Sequence, residues 1–236
     1  MSQKKTDNLN SSQVTKKALL VGATGLVGGH LLNQLINHDA YTEVHLLLRR
    51  PMDGETGRVH HHLVDFQQIT TLAVEADEVF CCLGTTIKKA GSQAAFRTVD
   101  HDYVLALGAF AKQQGASLSV VSSLGASTKS GNFYLRTKGE MEEALHQLAL
   151  PRLQLFRPSL MHEGRNESRL GERVAGLAMG LLSPLMMGSL ARYRPVDAKD
   201  VALAMVLAAQ SVLPGRQIFE SENIQRIATT GFVPVS

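Results

Sequence analysis

Residues 17–35 read Lys17-Ala18-Leu19-Leu20-Val21-Gly22-Ala23-Thr24-Gly25-Leu26-Val27-Gly28-Gly29-His30-Leu31-Leu32-Asn33-Gln34-Leu35. Ala18 to Val21 form an unbroken apolar run, whereas beyond the glycines the apolar residues fall at Leu31, Leu32, Leu35 and Ile36. That change from a continuous run to helical spacing predicts a buried strand, a tight turn and a helix. Gly22 allows the sharp turn, Gly25 lets the main chain approach a pyrophosphate, and Gly28 lets the helix pack closely on the strand. The first-turn amides of such a helix lack intrahelical partners and face an anion. Gly22, Thr24, Gly25, Leu26, Val27 and Gly28 are therefore the expected seat of a dinucleotide. Glycine-rich turns also occur with no ligand; the place of this one, after the first buried strand, gives it weight.

At 236 residues the chain can bury one sizeable core and is too short for two full catalytic domains. Its composition, 44% apolar against 19% charged, is that of a globular protein. The net charge of +3 owes part of its size to Lys4, Lys5, Lys16 and Lys17 at one end, so it does not argue for nucleic-acid binding. Residues 1–15 are polar, without an apolar segment of signal-peptide type, and read as a loose tail ahead of a single domain over 16–236. The expected location is the cytoplasm. Cys81 and Cys82 are adjacent, cannot close an unstrained disulfide, and read as two small buried residues kept reduced.

Val44 to Leu48 predict a second strand ending in Arg49-Arg50, where the acceptor of an adenosine ribose belongs. An acidic residue there would favour NAD; arginines pair with the additional phosphate of NADP through charge-assisted bonds. The cofactor implied is NADPH, the alternative being a solvated turn before Pro51. His60, His61 and His62 do not read as a metal site, because strand neighbours point to opposite faces and no ligand cluster completes them; no metal is expected. Asp65 lies just past the third strand. It can accept from the adenine amino group with Phe66 against the ring, or cap the segment that follows. A fourth strand over residues 76–83 opens into Gly84 and Thr85, so Cys82, Leu83, Gly84 and Thr85 should border the same crevice. The apolar-periodic segment 93–114 reads as one crossover helix stopped by Gly115.

Leu118 to Val121 predict a fifth strand ending in Ser122-Ser123, and the helix that follows opens with Tyr134 and Lys138 four residues apart on one face. An ammonium about 6 Å from a phenol, at an effective dielectric of ~20, contributes roughly 2.8 kcal/mol toward the phenolate and makes Tyr134 a usable proton donor. A strand-end serine supplies a hydrogen bond to the same substrate oxygen. A Tyr and a Lys at this spacing are also an ordinary solvated helix face. Their order after the glycine turn, each at the carboxyl side of a parallel sheet, is what favours the chemical reading.

The chain resembles the atypical short-chain dehydrogenases/reductases, in particular the family of the human Tat-interacting oxidoreductase-like protein and its bacterial relatives. The residues carrying the likeness are the glycine turn, Phe80 to Thr86, Asp102-Tyr103-Val104, Ser122-Ser123, Asn132 to Leu135 with Lys138-Gly139-Glu140, Phe156-Arg157-Pro158, and Arg165 to Arg169 with Gly171-Glu172. The resemblance implies a Rossmann-type doubly wound parallel sheet, NADPH binding, and a Ser, Tyr, Lys site at Ser123, Tyr134 and Lys138. Ser123 is preferred to Ser122 because relatives place the working serine just ahead of a small-residue turn such as Leu124-Gly125. Relatives are also described as regulators with weak or unassigned chemistry.

Arg152 to Phe156 predict a sixth strand, and Arg157 and Pro158 at its end should lie against the nicotinamide. A small substrate lobe is expected from about residue 159. Arg165, Arg169 and Arg173 form either a salt-bridged face or a hold for an anionic substrate. The uncharged run 174–191 is interrupted by Ser183-Pro184 and reads as two short helices covering the pocket or packing on a second subunit; no membrane span is expected, though peripheral contact remains open. Residues 201–209 predict a capping helix and Gln217 to Phe219 a last short strand. The function expected is NADPH-dependent reduction of a small-molecule carbonyl, or the reverse. The alternatives are an NADPH-binding redox sensor and, more weakly, an epimerase or dehydratase.

Overall fold

A computed structural model describes residues 15–54, 57–162 and 193–234. The arginine stripe at Arg165, Arg169 and Arg173, the apolar run 174–191 and nearly all of the amino-terminal polar stretch lie outside the described residues.

In β1 (Lys16–Val21) the apolar run is buried on both faces: Ala18 and Leu20 enter one core, Leu19 and Val21 the other. A strand of that kind belongs in the middle of a parallel sheet covered on both sides. The strands β2 (Tyr41–Leu48), β3 (Val59–Leu63), β4 (Glu78–Cys81), β5 (Ser117–Val121) and β6 (Arg152–Arg157) follow in the chain. After them come β7 (Met161–His162), β8 (Val196–Asp197) and β9 (Gly215–Glu220). Seven pair in parallel in the order β3-β2-β1-β4-β5-β6-β9, while β7 and β8 form a separate parallel pair. The order reverses between β1 and β4. A crevice opens there beyond the carboxyl ends of the strands, the place where ligands sit in open α/β sheets.

One face of the sheet is covered by α1 (Leu26–Ile36) and by two helices near the carboxyl end, 198–209 and 221–230, through Leu31, Leu35, Val201, Met205 and Ile224. The other is covered by a 3-10 turn at Phe66–Thr71 and by two helices over 103–114 and 133–147, through Ile69, Leu107, Phe110, Met141 and Leu145. Among the described residues, no helix is long and apolar enough to cross a membrane.

The expected single helix over 93–114 is divided. After the short α2 (Ile87–Ala90), α3 (Gln93–Arg97) passes into a π-helical segment, Thr98–Asp102, before α4 (Tyr103–Gln114). A π segment adds one residue to a turn, which hydrophobic periodicity does not register. Here it turns Asp100 inward, where its side chain is 1% exposed. The next helix, α5 (Phe133–Gln147), is capped by Asn132, whose side chain accepts from the Leu135 amide. The last two are α6 (Ala198–Ala209) and α7 (Ser221–Thr230).

At the opposite end of the sheet from the crevice, the Glu78 carboxylate is buried and accepts from the Tyr41 hydroxyl. It also lies 2.6 Å from the Lys16 ammonium and 3.0 Å from Arg152 Nη2. Burial, followed by this neighbouring carboxylate, raises the Tyr41 pKa. Strand pairing also creates a histidine cluster. His45 on β2 stacks on His60, ring centroids 5.0 Å apart, and its Nδ1 is 2.9 Å from His62 Nε2 on β3.

Candidate active site

The glycine turn is shaped by two close approaches. Gly22 has φ +89°, and a Cβ there would stand 2.5 Å from the Cys82 carbonyl oxygen. A Cβ on Gly28 would stand 2.0 Å from the Gly22 carbonyl oxygen, so the helix can begin only against a bare backbone. Gly25 is less confined from within, its nearest neighbour being the Gly22 oxygen at 3.2 Å. It occupies the N-cap of α1 with no side-chain cap, and no acidic residue lies in the first turn. The amides of that turn therefore stay available to an anion, and the residues present fit the pyrophosphate of a dinucleotide.

The crevice divides into adjoining cavities. At the end of β2, one of about 430 Å³ is lined by Gly22, Thr24, Leu48, Arg49, Arg50 and Phe66, with both arginines exposed. Beside it, a cavity of about 620 Å³ is bounded by Arg49, Phe66, Leu83, Gly84, Thr85 and Tyr103. Phe66 is buried against Tyr103, ring centroids 5.5 Å apart. Asp65 takes the capping option: its carboxylate accepts from the Gln67 amide at 3.0 Å, and it lines neither cavity.

Toward β4 and β5, a cavity of about 500 Å³ brings together Gly25, Leu26, Val27, Cys82, Leu83, Gly84, Thr85, Tyr134 and Lys138, joining the amino-terminal turn to α5. Tyr134 is half-buried, its ring 5.6 Å from Phe96, and it also lines an outer cavity of about 790 Å³ with Ser123, Leu124, Leu135, Leu160, Met161 and Tyr193. The two serines diverge. Ser122 is buried, lines the inner cavity with Tyr134 and Lys138 and donates to Glu142 Oε1 at 2.5 Å, whereas Ser123 lines the outer cavity instead.

Lys138 is 3% exposed, and its Nζ lies 2.7 Å from Asp100 Oδ1. The contact is a buried ion pair. The other carboxylate oxygen accepts from the Thr85 amide at 3.0 Å, tying the pair to the end of β4. Burial pushes the Lys138 pKa down, the Asp100 carboxylate pushes it up, and the net lies above the usual lysine value. The ammonium expected to stand alone on the face it shares with Tyr134 is therefore paired with a buried carboxylate.

Arg157 and Pro158 also depart from expectation. Arg157 Nε donates to Glu142 at 3.0 Å, and its Nη1 is 3.9 Å from Glu220. It borders the outer cavity rather than the one shared by Lys138 and the glycine turn. Pro158 is buried, its carbonyl accepting from the Leu124 amide at 2.9 Å, and it lines none of these cavities. Hydrogen bonds to Glu142 hold the Arg157 pKa above its usual value. Both cysteines are free, and burial raises the Cys81 thiol to about 11.

Sequence reasoning missed two residues in this region, Asp100 and Glu142. Asp100 had one weak signal, being one of two carboxylates, with Asp102, inside an apolar-periodic segment. Glu142 had none, being one acidic residue among several on α5.

A parallel sheet reversing at a glycine turn, with a crevice running from paired arginines to a buried lysine, defines a Rossmann-type dinucleotide-binding protein. The chain belongs to the NAD dependent epimerase/dehydratase family, whose sequence profile matches residues 18–138, and the cofactor is accordingly a nicotinamide dinucleotide. It is 37% identical to protein HTATIP2 of Rattus norvegicus over 174 residues, 71% of this chain and 72% of the relative. It is 33% identical to the mitochondrial protein fmp52 of Emericella nidulans over 173 residues, 69% of this chain and 74% of that one. Among solved structures, it is similar to the Bordetella bronchiseptica enzyme WbmH in complex with NAD+ (TM-score 0.64, 16% identity, 91% of this chain and 79% of that chain). It is similar too to the Helicobacter pylori ADP-L-glycero-D-manno-heptose-6-epimerase (TM-score 0.63, 16% identity, 94% and 83%).

The cytoplasmic expectation does not stand beside these relatives, since fmp52 proteins of several fungi are named as mitochondrial. It rested on the lack of an apolar leader, which tests for secretion only; mitochondrial leaders are amphipathic rather than apolar.

Proposed function

We propose that the protein transfers hydride between NADPH and the carbonyl carbon of a small molecule, through Ser123, Tyr134 and Lys138. The observation that carries this reading is that Tyr134 borders both the cavity reaching the glycine turn and the outer cavity, where a second molecule has room. NADPH, when bound, would supply the hydride, and its oxidised form NADP+ would take it up in the reverse direction. The Tyr134 hydroxyl is the group to pass a proton to the carbonyl oxygen, and Ser123 the one to hold that oxygen by a hydrogen bond. Lys138, fixed by Asp100, is the residue to hold the cofactor ribose. Arg49 and Arg50 favour the 2′-phosphate, because exposed guanidinium groups pair with it through charge-assisted bonds.

The described walls of the outer cavity are largely apolar, Leu124, Leu135, Leu160, Met161 and Tyr193, and its Arg157 is engaged by Glu142. That supports a compact apolar carbonyl compound as substrate. The second reading, an epimerase or dehydratase that recycles its hydride, is favoured by the family and by neighbours of that kind.

Nicotinamide absorbance distinguishes the two. With a panel of apolar aldehydes, ketones and quinones, NADPH should be consumed in proportion to product. Tyr134→Phe should lower turnover at least ~100-fold while leaving the NADPH Kd within a few-fold. Redox-neutral conversion of a sugar nucleotide would favour the second reading; tight NADPH binding with no turnover on any carbonyl would refute the first.

A further inference from the structure

We infer that Lys89 is a phosphate-binding residue for the dinucleotide, meeting the pyrophosphate from the wall opposite the glycine turn. Lys89 lies on α2, the short helix that follows β4. That helix is pinned at both ends. The Thr86 hydroxyl accepts from the Lys89 amide at 3.1 Å, Gly91 closes the helix at φ +88°, and the Thr85 amide just before it is held by Asp100. The Lys89 backbone is thus fixed while its side chain stays exposed.

Its location is specific. Lys89 lines the cavity containing Arg49, Phe66 and Tyr103, and it also lines the cavity containing Gly25, Leu26, Tyr134 and Lys138. It stands where the adenosine half of the crevice meets the nicotinamide half, which is where a dinucleotide carries its pyrophosphate. The neighbouring Lys88 lines neither cavity.

Charge accounting points the same way. Lys138 is paired with Asp100, Arg157 with Glu142 and Arg97 with Glu140, while Arg49 and Arg50 stand at the β2 end of the crevice and neither reaches the cavity that holds Gly25 and Lys138. Lys89 has no ion-pair partner among the described residues, so it is an uncommitted cation at the middle of the crevice. The helix amides supply hydrogen bonds to a pyrophosphate but no full positive charge; Lys89 supplies one.

The inference needs a bound dinucleotide and does not depend on carbonyl reduction, so it is tested by binding rather than by turnover. Isothermal titration of wild type, Lys89→Ala, Lys89→Arg and Lys88→Ala with NADPH and NADH is the experiment, with adenosine 2′-monophosphate as a probe lacking both phosphates of the pyrophosphate. Lys89→Ala should weaken NADPH and NADH by the same factor, about tenfold or more, the usual worth of a hydrogen bond to a charged group. Lys89→Arg should recover most of the loss, Lys88→Ala should stay within about twofold, and the 2′-monophosphate should bind Lys89→Ala as it binds wild type. Equal behaviour of Lys89→Ala and Lys88→Ala would overturn the assignment. So would a loss confined to the 2′-phosphorylated ligands, and so would a wild-type protein that binds neither dinucleotide. Normal effects on binding with no turnover on carbonyls would count against the proposed reaction alone.

Discussion

Replacing Asp100 by Asn removes a charge while preserving shape, and it tests whether the buried pair with Lys138 is held together as described. The two charged groups are 2.7 Å apart, with side chains 3% and 1% exposed. At an effective dielectric of ~20 their attraction is about 6 kcal/mol before the cost of leaving water is subtracted. Removing one partner of such a pair costs about 3–5 kcal/mol, because the other charge stays buried and uncompensated. For a domain of this size that is a fall in Tm of roughly 6–20 °C.

The pH dependence should change sign as well. In the native protein the Lys138 pKa is raised, so its contribution to stability is complete below the ordinary lysine value of about 10.4 and is lost as pH rises above that. In Asp100→Asn the carboxylate's upward pull is gone, and burial, the largest influence on the ammonium, depresses its pKa. The unfolded chain then binds the extra proton, and stability rises with pH from about 7 toward 10, by up to about 1.4 kcal/mol per unit. Thermal denaturation of the cofactor-free protein between pH 6 and 10 measures both effects. Lys138→Met in the same background should cost at least ~2 kcal/mol less than the sum of the two single changes. An unchanged Tm with the native pH slope, or strictly additive changes, would refute the buried pair.

Arg49→Ala with Arg50→Ala should raise the Kd for NADPH at least ~10-fold more than that for NADH, as fluorescence titration would show; equal losses would remove the basis for cofactor preference. Gly28→Ala places a Cβ 2.0 Å from the Gly22 carbonyl oxygen, so it should lower the Tm and abolish dinucleotide binding together, read by melting and titration. Glu78→Gln uncovers the buried ends of Lys16 and Arg152 far from the crevice, and should cost about 3 kcal/mol of stability in urea unfolding with little change in cofactor Kd. Burial lowers the pKa of His45 and of His62, so these rings bind protons more readily when unfolded. Stability should therefore decline as pH falls through about 6.5, and His62→Asn should flatten that decline in acid-range melting curves.

The fold was legible in residues 17–35 and in the later apolar runs, because burial on both faces of a parallel sheet leaves an uninterrupted hydrophobic signature in a few consecutive residues. The glycine turn was legible for a related reason. Gly22 and Gly28 answer to backbone contacts at 2.5 Å and 2.0 Å within the same crevice, and no other residue type meets that demand. Tyr134 and Lys138 were legible as neighbours because four residues of helix bring them to one face.

What the sequence did not contain was the set of partners those side chains acquire. Asp100 reaches Lys138 across 38 residues, by way of a π-helical turn that periodicity passes over. Glu142 takes Ser122 and Arg157 from the ends of two separate strands, leaving Ser123 to face the outer cavity. His45 meets His60 and His62 only because β2 and β3 pair in one register. Secondary structure follows from the spacing of neighbours along the chain, whereas the charge state and orientation of a site follow from which strand ends and helix faces the packing sets side by side. The first determined this protein's architecture and the glycine turn at its crevice; the second alone decided which charges around that turn are already neutralised.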